Sequence, residues 1–128
     1  YKYVVCLDTD VTINDEYFLP HLFSVPRGDF IAVGETCYID SGGMAVQQGN
    51  PHSPGHHYVY VHPARCLFNL EHYPKFHPPI KHGAPMVLFY KDVRDMGLSH
   101  LCFRANEEMN NFSTHHWNGT VGRFGFLV

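Results

Sequence analysis

The sequence holds no apolar run long enough to cross a bilayer, no basic tract and no closely spaced cysteine pair, and each absence removes a class of function. A helical span needs about 20 consecutive apolar residues. A nucleic-acid surface needs clustered Lys and Arg, whereas this chain carries 9 of them against 12 Asp and Glu, for a net charge of -3. Cys6, Cys37, Cys66 and Cys102 are too scattered for a zinc knuckle or a disulfide framework. Each sits in an apolar run and is expected as a small buried hydrophobe. That suits a reducing, cytoplasmic setting, with a membrane-peripheral one as the variant. No secretory signal pattern is visible, so the N-x-S/T triplets at Asn111 and Asn118 read as chance.

Charged residues are also sparse, at 16% against 45% hydrophobic. That is the balance of a globular chain with a core, and 128 residues suffice for one modest domain. No repeat or linker divides it, so residues 1–128 read as a single domain. Histidine is plentiful instead, at 11 residues. It is the commonest metal ligand and a common acid or base, although most copies are expected to be ordinary hydrogen-bonded residues.

The most telling stretch is Tyr3-Val4-Val5-Cys6-Leu7-Asp8-Thr9-Asp10. A short, β-branched apolar run reads as a buried strand. It ends in two carboxylates one residue apart. If that end is extended, both side chains point the same way into one cleft. Close carboxylates repel unless a positive charge sits between them, and hard oxygen ligands suit Mg²⁺ or Mn²⁺. Asp8 and Asp10 are therefore the candidate metal and cofactor ligands. A capped turn at a strand end is the bland alternative.

Along the chain, residues 16–23 read as a short helix, cramped by Pro20. Residues 30–34 read as a strand that ends at Glu35. Residues 38–57 lose periodicity and are rich in Gly, Pro and Asn, the composition of a long loop. Residues 58–62 alternate as a strand that Pro63 ends, and residues 65–69 form a separate apolar piece. Met86, Phe89, Tyr90, Val93 and Met96 lie at helical spacing between Pro85 and Gly97, which predicts the best helix of the chain. Residues 99–103 and 112–117 read as strands, with a polar loop at 106–111. Alternating helix and strand predicts an α/β domain.

Taken together, these motifs resemble the C-terminal part of a family 2, GT-A-fold, nucleotide-sugar glycosyltransferase. YVVCLDTDVTIND is similar to the strand that carries the metal-binding Asp-x-Asp. DFIAVGE is similar to the strand that follows. HPPIKHGAPMVLFYKDVRDMGL stands where that family has an acidic motif and a glycine-closed helix. FSTHHWNGT is similar to a late strand whose histidine joins the metal shell. The resemblance implies a Rossmann-like mixed sheet with flanking helices, in an incomplete domain lacking its N-terminal nucleotide-binding half. It implies a nucleotide-diphosphate sugar donor and a sugar or glycan acceptor. Mn²⁺ or Mg²⁺ is held by Asp10, with Asp8 at the ribose or the metal waters. Of His115 and His116, the preferred ligand is His116. The family's acidic catalytic pair has no counterpart, since His82-Gly83-Ala84-Pro85 occupies its place. His82 becomes the expected base, with Asp40 or Glu35 as substitutes, or the chain is an inactive member. Two other readings stay open. One is a haloacid-dehalogenase-like phosphatase, whose Asp-x-Asp-x-Thr pattern Asp8 to Thr12 matches. The other is a non-catalytic metal- or carbohydrate-binding domain.

Overall fold

The computed structural model describes residues 1–39, 45–46, 58–79 and 86–116. Its main sheet has five strands: β1 (Tyr3–Leu7), β3 (Ala32–Ile39), β4 (Ala45–Val46), β5 (Tyr58–Asn69) and β6 (Cys102–Arg104). The order is β1-β5-β3-β4, and β6 lies along the first half of β3. Only the β3–β6 pairing is parallel. A second, two-stranded sheet joins β2 (Val11–Ile13) to β7 (Ser113–His115). Three α-helices, α1 (Phe18–Ser24), α2 (Val87–Asp95) and α3 (Asn106–Met109), and two 3₁₀ turns, at Tyr73–Lys75 and Ser99–Leu101, complete the described residues. The fold is mixed α/β, as the alternation of elements predicts. None of these helices is long and apolar enough to cross a membrane.

Strand alternation gives the main sheet two apolar faces. On one, Ala32, Cys66 and Phe68 receive Phe89, Tyr90 and Val93 of α2. On the other, Val33 and Leu67 receive Phe18 and Leu22 of α1 and Met109 of α3. Phe89 anchors the first face, with its ring 4.8 Å from that of Phe76 and 5.8 Å from that of Phe68. The α2 terminus follows its sequence signal. Gly97 takes φ 72°, and the amides of Gly97 and Leu98 close onto the carbonyls of Arg94 and Val93 at 2.9 and 2.8 Å. This is the paired-bond cap that a left-handed glycine allows.

Several expectations are revised. β1 is an edge strand and not a buried one: among the described residues only β5 pairs with it, and Tyr3, Val4 and Leu7 are 37–46% exposed. Pro63 does not end the strand at residue 62, because β5 runs on to Asn69 by bulging around the proline, a position where a missing N–H is tolerated. Pro20 sits in the first turn of α1, where no intrahelical N–H is needed. Residues 99–101 form a 3₁₀ turn before β6, and the polar stretch 106–111 contains α3.

Candidate active site

The site grows from an irregularity between β3 and β5. Gly34 pairs with Cys66 and Thr36 with Val61, so Glu35 alone faces four residues, His62 to Arg65. Such bulges bend a strand and re-aim its side chains. Only glycine fits at position 34: a Cβ there would lie 2.6 Å from the Arg65 carbonyl oxygen and 2.9 Å from Val61 Cγ1.

The bulge delivers Arg65 to Glu35. Arg65 is 2% exposed and Glu35 8%. Arg65 Nη2 and Nε donate to Glu35 Oε2 at 2.9 and 3.3 Å. Its Nη1 donates to Asn110 Oδ1 at 3.0 Å and to Ser113 Oγ at 3.1 Å. The Ser113 hydroxyl in turn donates to the Met109 carbonyl. A buried charge needs this degree of satisfaction.

His115 is next in line. Its Nδ1 lies 3.1 Å from Glu35 Oε2 and its Nε2 3.5 Å from Asp10 Oδ1, with the ring 3% exposed. The small sheet sets this up: Val11 pairs with His115, and the His116 amide donates to the Asp10 carbonyl at 2.9 Å. His62 comes from the bulge, with its ring centroid 5.5 Å from that of His115. The His62 Nδ1 accepts from the Ala64 amide at 3.2 Å. Burial lowers the pKa of His62 and the neighbouring His115 adds to that, against the opposing pull of Glu35, Asp8 and Asp10. A polar cavity of about 290 Å³ opens beside these groups, lined by Glu35, Arg65, Asn110, Ser113, Thr114 and His115.

The expected residues are distributed unevenly over this arrangement. Asp8 follows β1 and is exposed; its Oδ1 accepts the Thr9 amide at 2.7 Å. The chain turns from Asp8 to Val11, with the Val11 amide on the Asp8 carbonyl, and is not extended there. Asp10 faces inward, its side chain 10% exposed. The His116 ring lies on the exposed side, with Nε2 2.8 Å from Thr12 Oγ1, so it is His115 that meets Asp10. Asp40 and His82 lie outside the described residues, as does Trp117. Tyr60 packs in the core against Tyr90. Arg65 and His62 are the participants that sequence reasoning passed over. An arginine inside the apolar run Ala64-Arg65-Cys66-Leu67-Phe68 was the available signal, because a buried guanidinium requires an acidic partner.

Among the described residues, no three His, Cys, Asp or Glu side chains are gathered into a metal-binding group. Asp10 and His115 nonetheless offer a carboxylate and an imidazole side by side, with Asp8 one residue away along the turn. Mg²⁺-type sites commonly take one or two protein carboxylates and leave the remaining positions to phosphate oxygens and water. Asp10 and His115 could supply two of the ligands of such a cation. The chain matches no family model, no curated protein and no solved structure.

Proposed function

We propose that this chain is a glycosyltransferase domain of GT-A type, moving a sugar from a nucleotide-diphosphate donor to a sugar or glycan acceptor. One observation carries the reading: the Asp-x-Asp turn after β1 and the histidine pair at the end of β7 meet, with Asp10 against His115. The resemblance drawn from the sequence brings these same two motifs together around a cation. Asp10 and His115 would hold Mn²⁺ or Mg²⁺, with Asp8 at its outer side. Such an ion, when bound, neutralises charge growing on a departing diphosphate. The polar cavity beside His115 offers space for the transferred group. Glu35 already accepts from Arg65 and lies 3.1 Å from His115 Nδ1, so it is a poor proton acceptor for substrate. The base is assigned to His82, with Asp40 second. The phosphatase reading has less support, because the later acids it would recruit are engaged elsewhere: Asp92 with His77, and Asp95 with Lys91 and Arg94.

The test is Mn²⁺-dependent release of nucleoside diphosphate from a panel of UDP- and GDP-linked sugars. The expected result is release that Asp10→Ala abolishes and that His82→Ala lowers about 100-fold. Cation or glycan binding without any release favours the non-catalytic alternative.

A further inference from the structure

We propose that Glu35 and Arg65 are positioning residues for His115: Arg65 pins the Glu35 carboxylate, and Glu35 accepts a hydrogen bond from Nδ1–H of His115, which leaves Nε2 facing Asp10 as a ligand. The inference rests on the reading of Asp10 and His115 as the cation-holding pair.

The geometry is specific. Three nitrogens converge on one oxygen, Glu35 Oε2: Arg65 Nη2 at 2.9 Å, Arg65 Nε at 3.3 Å and His115 Nδ1 at 3.1 Å. The other end of the guanidinium is tied to Asn110 and Ser113, so it cannot swing away. Ser113 and His115 are two apart on β7 and share a face. The strand that presents the imidazole thus also locks the arginine behind it. An ionised carboxylate only accepts, so the nitrogen facing it must be the donor. The Asp10 oxygen, at 3.5 Å from Nε2, lies beyond normal hydrogen-bond distance, which leaves the Nε2 lone pair on the Asp10 side. Histidine ligands are commonly oriented this way, through a carboxylate on the far nitrogen. Without Glu35, the ring is free to donate Nε2–H to Asp10 instead. Ligand and carboxylate would then close on each other and compete with a cation.

The experiment is a long-range ¹H–¹⁵N correlation of the histidine rings at pH 8.5, paired with Mn²⁺ titration. His115→Gln assigns the signal, and amide-spectrum dispersion confirms folding. In wild type, His115 Nδ1 carries the proton. Glu35→Leu/Arg65→Met removes both charges together and so avoids stranding one. In it, Nδ1 loses its proton and Mn²⁺ binding weakens about 10- to 100-fold. Glu35→Gln, which can keep an oxygen at the Oε2 position, retains the protonated Nδ1 and most of the affinity. An unprotonated Nδ1 in wild type overturns the proposal. So does a double variant whose Nδ1 and Mn²⁺ affinity are unchanged. If Nδ1 follows Glu35 but wild type binds no Mn²⁺, the positioning role stands and the metal-dependent transferase reading falls.

Discussion

Replacing Glu35 by leucine leaves the Arg65 guanidinium charged, buried and without its carboxylate. The pair is closed to water, at 2% and 10% side-chain exposure, and its shortest contact is 2.9 Å. Exposed pairs are worth about 0–1 kcal/mol, but removing one partner of a buried pair costs about 3–5 kcal/mol, because the survivor is left uncompensated. Asn110 and Ser113 still bind Nη1, so the loss should fall toward the lower end of that range. A whole domain is stable by roughly 5–15 kcal/mol, so this single change removes a large share. At this size it lowers Tm by roughly 10–15 °C. Adding Arg65→Met removes the stranded charge and should restore stability to within about 1 kcal/mol of wild type, a non-additivity that marks direct coupling. Urea unfolding of wild type, both single variants and the double variant closes the cycle. A Glu35→Leu cost under about 1 kcal/mol, or singles that simply add, refutes the buried-pair reasoning.

Gly34→Ala must force its methyl into the Arg65 carbonyl, 2.6 Å away. It is expected to cost about 1–3 kcal/mol by urea unfolding; a neutral effect means that the bulge yields easily. For His62, burial places the folded pKa below 6.5. The unfolded state therefore binds the extra proton first, so the His62 contribution is fully present above about pH 6.5 and is lost as pH falls through the folded value. His62→Gln should flatten that part of the stability–pH curve, and an unchanged slope contradicts the assignment. Burial raises all four thiol pKa values, that of Cys37 to about 11 and that of Cys102 to about 12. Iodoacetamide at pH 8 should label the native chain slowly and the denatured chain fast; rapid native labelling counts against the packing described.

Local signals were legible wherever they were strong. α2 carried its apolar spacing and its glycine cap in plain view, and the structure follows the cap and buries Met86, Phe89, Tyr90 and Val93, while Met96 is exposed. Of the four cysteines, expected as buried, Cys66 is so, while Cys6, Cys37 and Cys102 are half-buried against the same core cluster. β1 was misjudged because an apolar run reads the same at the centre of a sheet and at its edge, and only long-range pairing decides. Pro63 misled for a related reason: a proline stops a regular ladder but not a bulged one, and the bulge depends on Gly34 from another strand. The Asp-x-Asp was visible, as was the late histidine pair. Which histidine meets Asp10 depends on the register of β2 with β7, set by Val11 opposite His115. Local sequence does not encode that register. Arg65 was hidden in a hydrophobic context, and its partner Glu35 stands thirty residues earlier.

The pairing of Asp10 with His115 is tested most directly by Mn²⁺ titration, followed by electron paramagnetic resonance, of wild type, Asp10→Ala, His115→Ala and His116→Ala. Asp10→Ala and His115→Ala should each weaken binding at least tenfold. His116→Ala, whose ring engages Thr12 at the surface, should bind like wild type. Wild-type affinity in Asp10→Ala, or a loss confined to His116→Ala, contradicts the site.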